Sequence, residues 1–147
     1  MVLLEGEESY EEDCPRPLHV AVQRNCREII QMLLTYGDDI NALDARGRAA
    51  LYLASKLGYP EMIDVLKQRD ATVEIRNLNG YAPLHASAFM RNRDVVEVVV
   101  KNGSEIDTKH TRNDWVPLHL AANRGNGEVA KDLLQYQADV DARDEQK

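Results

Sequence analysis

Arg16-Pro17-Leu18-His19, Ala49-Ala50-Leu51-Tyr52, Ala82-Pro83-Leu84-His85 and Val116-Pro117-Leu118-His119 are four spellings of one phrase, and their leucines stand 33, 33 and 34 residues apart. That period decides the fold. A unit of this length is one supersecondary motif, too small to bury its own apolar face, so copies stack and each is stabilised by its neighbours. The period predicts a single array of four units and directs the search for function to the surface of a stack.

With the copies set in register, a first helix is predicted near 17–24, 50–57, 83–90 and 117–124, entered through proline in three copies, where the missing N–H costs nothing in the first turn. The columns Ala21/Ala54/Ser87/Ala121 and Val22/Ser55/Ala88/Ala122 are small and let neighbouring first helices approach closely. A second helix opens with Glu28, Glu61, Asp94 and Glu128, carboxylates placed near its positive end. It continues as an apolar stripe, Ile29, Ile30, Leu33 and Leu34 in the first copy, with Leu33/Leu66/Val99/Leu133 as the predicted spine of the core. Helices this short are marginal alone in water, so the stability must come from packing.

Gly37 and Gly103 stand where a left-handed residue ends the second helix, and Gly47 and Gly80 stand in the turn before the next unit. Between them run short extended segments such as Asp38-Asp39-Ile40-Asn41, each with one aliphatic, followed by a polar turn; this pattern predicts a projecting hairpin.

The phrase around Pro17-Leu18-His19, the segment Gly37-Asp38-Asp39-Ile40-Asn41-Ala42 and the turn Asp44-Ala45-Arg46-Gly47 resemble the ankyrin repeat, in four copies over residues 15–144. The resemblance implies an all-α solenoid of stacked helix-turn-helix units with projecting β-hairpin turns, in units of about 15–47, 48–80, 81–114 and 115–147. Several residues depart from the family pattern. Its leading threonine is replaced by Arg16, Ala49, Ala82 and Val116, and Tyr52 replaces histidine, so fewer hydrogen bonds are expected between turn and helix. Lys67 falls in an apolar column, Asp70 and Gln137 fall where glycine is usual, and the third hairpin carries one extra residue between Lys109 and Trp115. Asn41 resembles the asparagine that intracellular hydroxylases modify in this family.

The formal net charge of -7 is concentrated at one end. Glu5, Glu7, Glu8, Glu11, Glu12 and Asp13 precede the first basic residue and leave residues 14–147 with 18 basic against 19 acidic groups. A nearly neutral array has no field to draw in a polyanion, which argues against nucleic acid as a partner. The acidic leader, residues 1–14, reads either as a solvating tail or as a degenerate N-terminal cap. Leu3-Leu4-Glu5-Gly6 resembles the close of a preceding second helix and Asp141-Ala142-Arg143-Asp144 the start of a further turn, so the chain reads as part of a longer array. Its only N-terminal apolar run, 1–4, is too short for a signal peptide, no stretch has the length of a spanning helix, and Cys14 and Cys26 read as free thiols. The expectation is a soluble, monomeric protein of the cytoplasm or nucleus.

His19, His85 and His119 occupy equivalent places in units stacked roughly 9 Å apart, the spacing of packed helices, and so do not converge on one ion. A zinc ligand must lie within about 2.1 Å of its metal. No Gly-rich phosphate loop, paired-cysteine motif or nucleophile elbow occurs. No catalytic, cofactor or metal residue is assigned, and no enzyme is expected.

In ankyrin repeats the partner is read by the turn tips and by the exposed end of the first helix, along a concave face. Carried onto this chain, those positions are Leu43, Arg46, Arg48, Lys56 and Leu57 in the second unit, and Arg76, Leu78, Tyr81, Phe89 and Met90 in the third. The fourth unit adds Arg112, Trp115, Asn123 and Arg124. The set holds the only tryptophan and only phenylalanine of the chain together with several arginines, types that dominate interface hot spots. It predicts a non-catalytic module that binds a protein or peptide carrying acidic and apolar residues. The other reading is the targeting segment of a larger enzyme or ubiquitin-ligase adaptor whose chemistry is encoded elsewhere.

Overall fold

The computed structural model describes residues 15–145. The acidic leader, with Cys14, lies outside the described residues. Within them are α1 (Pro17–Gln23), α2 (Arg27–Thr35), α3 (Ala50–Leu57), α4 (Pro60–Gln68), α5 (Pro83–Phe89), α6 (Arg93–Lys101), α7 (Pro117–Asn123) and α8 (Gly127–Gln135). Proline stands in the first turn of α1, α4, α5 and α7. The residues before the first helices, Arg16, Ala49, Ala82 and Val116, are extended and offer no capping side chain. In α5 and α7 the third residue serves instead: Nδ1 of His85 accepts from Ala82 N–H at 3.1 Å, and Nδ1 of His119 from Val116 N–H at 3.0 Å.

Each unit turns its chain back through left-handed residues. After the first helices these are Asn25 (φ 51°), Gly58 (81°), Arg91 (59°) and Gly125 (64°). After the second they are Gly37 (93°), Asp70 (64°), Gly103 (96°) and Gln137 (69°), so Asp70 and Gln137 adopt the conformation their position demands. There the following two N–H groups bond back to the last turn, as in Gly37 to Leu34 O at 3.2 Å and Asp38 to Leu33 O at 3.0 Å, and the other three units repeat the pair. These bonds satisfy carbonyls that the helix end would leave orphaned.

The first helices pack in the order α1, α3, α5, α7, each against its own second helix, and α4, α6 and α8 stack behind them. Leu18, Leu51 and Leu84, with Leu66, Val99 and Leu133, are fully or almost fully buried. The predicted spine holds in the last three units, whereas Leu33 is only partly buried. The apolar stripe of α2 is likewise incomplete: Ile30 is buried but Ile29 is 45 % exposed, because no described element precedes it in the stack. The projecting hairpins contain no strand among the described residues. Each is a tight turn closed at its neck by a single backbone bond, Asp44 N–H to Arg48 O (3.1 Å), Asn77 N–H to Tyr81 O (3.0 Å) and His110 N–H to Trp115 O (2.8 Å).

Candidate partner-binding surface

A side-chain oxygen organises each turn from within. Asp44 Oδ1 accepts from Arg46 N–H at 3.0 Å and Arg48 N–H at 2.8 Å, and Asn77 Oδ1 accepts from Asn79 N–H at 3.1 Å and Tyr81 N–H at 3.0 Å. In the longer third turn Asn113 Oδ1 accepts from Trp115 N–H at 3.1 Å, and Asp114 takes the left-handed conformation at φ 57°. The turns nest against one another: Leu78 N–H donates to Arg46 O at 3.0 Å. A Cβ on Gly47 would lie 3.0 Å from Leu78 N, and one on Gly80 3.2 Å from Thr111 N. Glycine is required at both by close approach as well as by backbone conformation.

Turn and helix are tied through the histidine column even where the family phrase is broken, although no preceding side chain caps the first helices and His19 Nδ1 is left without a partner. His19 Nε2 donates to Arg48 O at 2.7 Å and His85 Nε2 to Trp115 O at 2.8 Å, each reaching the turn of the next unit. Tyr52, the residue in the histidine column that breaks the phrase, accepts from Asn77 Nδ2 at 3.0 Å and reaches the same place. His110 Nε2 adds a bond to Asn79 O at 2.6 Å, and Arg76 Nη1 one to Lys109 O at 2.9 Å. Burial pushes the pKa of His85 down from 6.5 to about 4, so its ring is neutral, with Nδ1 accepting and Nε2 donating.

On this frame the candidate residues separate into two kinds. Some brace the turns. Arg48 is buried with its guanidinium on Asp44 at 2.7 Å, and Arg76 is held by its bonds to the third turn. Tyr81 lies against His110 with ring centroids 4.4 Å apart. Trp115 is half-buried, stacks on His119 at 5.8 Å and donates Nε1–H to Asp144 Oδ2 at 3.2 Å. Arg46 and Lys56 are half-buried and also make interactions.

The others face solvent in two rows. At the turn tips stand Leu43, Leu78, which is 70 % exposed, and Arg112. At the far ends of the first helices stand Leu57, Phe89, Met90, Asn123 and Arg124. The guanidinium of Arg124 lies 4.4 Å above the Phe89 ring, and Arg91, which sequence reasoning missed, donates to Arg124 O at 2.9 Å. The stretches 23–25, 56–58, 89–91 and 123–125 contain Arg24, Lys56, Arg91 and Arg124 and no carboxylate. The second helices behind begin with Glu28, Glu61, Asp94 and Glu128. There Arg93 clamps Asp132 at 2.7 and 2.8 Å, joining α6 to α8 and holding that carboxyl below the usual range.

A family model described as ankyrin repeats matches the chain at 2–77, 18–110 and 71–144. The chain belongs to the ankyrin-repeat family. Ankyrin repeats are in general protein-interaction modules, and the eight stacked helices are the all-α solenoid of that family. The chain is 32 % identical over 125 residues to glycerophosphocholine phosphodiesterase GDE1 of Candida albicans, covering 82 % of this chain and 11 % of that protein. It is 30 % identical over 144 residues to rabankyrin-5 of Mus musculus, covering 95 % and 12 %. Identity to the putative ankyrin repeat protein FPV031 of fowlpox virus is 30 % over 135 residues, covering 88 % and 39 %. The ankyrin-repeat segment thus spans between 11 and 39 % of the length of these relatives. No helix among the described residues is long and apolar enough to cross a membrane.

Proposed function

We propose that this ankyrin-repeat chain is a non-catalytic interaction module that holds an acidic, apolar segment of another protein against its turn tips and first helices. The observation that carries the reading is the pair of solvent-facing rows: Leu43 and Leu78 at the tips, and Leu57, Phe89 and Met90 at the helix ends, in stretches whose sequence carries cations and no carboxylate. Contiguous exposed apolar groups on a soluble protein mark sites of association, and the charge pattern selects an acidic partner. Of the residues expected from sequence, Leu43, Leu57, Leu78, Phe89, Met90, Arg112, Asn123 and Arg124 form the contact surface, and Arg46, Arg48, Lys56, Arg76, Tyr81 and Trp115 hold it in shape. The module acts as a monomer in the cytoplasm or nucleus; Cys26 forms no disulfide among the described residues.

The test places a photo-crosslinking residue at Leu78 or Met90 and, as a control, at Glu61 on the second helix. Crosslinks to a common partner from the first two sites and none from the third are expected. Leu78→Asp should weaken that partner by about 2 kcal/mol without loss of helicity. Equal crosslinking from Glu61, or unchanged affinity in the variant, overturns the reading. Because a phosphodiesterase carries a similar segment over 11 % of its length, the module also fits a targeting role inside a larger enzyme or ligase adaptor. The same surface then recruits a substrate or regulator.

A further inference from the structure

The two sides of a unit can be told apart by following each column along the stack. The column Val22/Ser55/Ala88 is fully buried and opens only at Ala122 in the last unit, so it faces the following unit. Leu34, Lys67 and Val100 are partly buried while Leu134 is exposed, so that column faces the same way. The opposite side opens only at the first unit. Val20 is exposed where Leu53, Ala86 and Leu120 are buried, and Ile29 where Met62, Val95 and Val129 are buried. Met32 is 58 % exposed where Val65 is buried, and Tyr36, at the end of the same helix, is 90 % exposed. Val20, Ile29, Met32 and Tyr36 form an apolar face with the geometry to receive the second helix of a preceding unit.

Two observations identify the occupant. The ankyrin match begins at residue 2, well before α1. Leu3 also stands three residues before Gly6, as Leu34 does before Gly37 and Val100 before Gly103, and those are the column members that face the following unit. We propose that Val2, Leu3 and Leu4, which lie outside the described residues, cover Ile29 and Met32 as part of the second helix of a preceding unit, so that the leader continues the stack. A covered face keeps these apolar columns out of water, where exposed they would present a template for association.

Methionine oxidation reads this directly, because sulfoxide formation follows exposure. Met32 and Met90 are comparably open among the described residues, at 58 and 45 %, and Met62 is buried. The intact chain is treated with dilute hydrogen peroxide and each methionine followed by peptide mass spectrometry. With the face covered Met32 should react roughly fivefold more slowly than Met90, and Leu3→Asp/Leu4→Asp should bring the two together while Met62 stays protected. Equal rates for Met32 and Met90 in the intact chain overturn the proposal whether or not the variant folds. Protection of Met32 that survives the double substitution, or that vanishes on dilution, overturns it as well, the latter assigning the face to a second copy.

Discussion

His85 shows how one buried side chain couples a turn to the solution. Its ring accepts from its own helix start and donates to the carbonyl of Trp115, and burial lowers its pKa to about 4. The unfolded chain titrates near 6.5, so above that pH both states carry a neutral ring. As pH falls from about 6.5 toward 4 the unfolded chain takes up a proton that the fold refuses, and stability declines. At about 1.4 kcal/mol per pH unit the loss from this group approaches roughly 3 kcal/mol. Urea unfolding measured across that window should show this decline, and His85→Gln should flatten it while lowering stability at neutral pH. A variant with the same pH slope as the parent would exclude His85 as the source. Trp115 belongs to the same scale. Its bond to Asp144 and its stacking on His119 make Trp115→Ala a change in turn stability, about 1–3 kcal/mol, as well as in any binding. The expected readout is a lower urea midpoint with no partner present.

Among elements, the helix ends separate what the sequence discloses from what it conceals. The helices themselves were legible because apolar spacing and proline placement are local signals, and the observed bounds fall within a residue of those read for the first helices. The left-handed ends after the second helices were legible where glycine marks them, at Gly37 and Gly103. Those after α1 and α5 were not, because Asn25 and Arg91 stand there in place of glycine. Forcing a residue with a Cβ into that region costs about 1–2 kcal/mol, part of which glycine returns through its freer unfolded chain. Gln137→Gly and Asp70→Gly should therefore each raise stability by about 0.5–1 kcal/mol, and Gly103→Ala should lower it by about 1 kcal/mol. Denaturant midpoints decide; a loss of stability in both glycine variants would show that other interactions of these side chains outweigh the backbone term.

At the scale of the whole molecule, a side chain's environment depends on its place along the stack as much as on its identity. The candidate surface was only partly legible for this reason. Leu43, Leu78 and Met90 were readable as unspent apolar residues, but Arg48, Arg76 and Trp115 look equally available until the partners that hold them are brought alongside. Arg76 is held across a unit boundary by Lys109, Trp115 by Asp144 at the far end of its own unit, and Arg48 by Asp44 within its own turn. The same dependence makes a sharp comparison within one column. Ala88 is fully buried between α5 and α7, whereas Ala122, the equivalent residue one unit on, is exposed because no described unit covers it. Ala88→Leu must push two first helices apart and should destabilise by about 1–3 kcal/mol. Ala122→Leu adds the same atoms to an open face and should change stability by less than about 0.5 kcal/mol. Urea denaturation of the two variants measures the difference. Equal, large losses would mean that the face beyond Ala122 is already occupied in solution. Equal, negligible effects would mean that neighbouring first helices are not pressed together as closely as the burial of Val22, Ser55 and Ala88 requires.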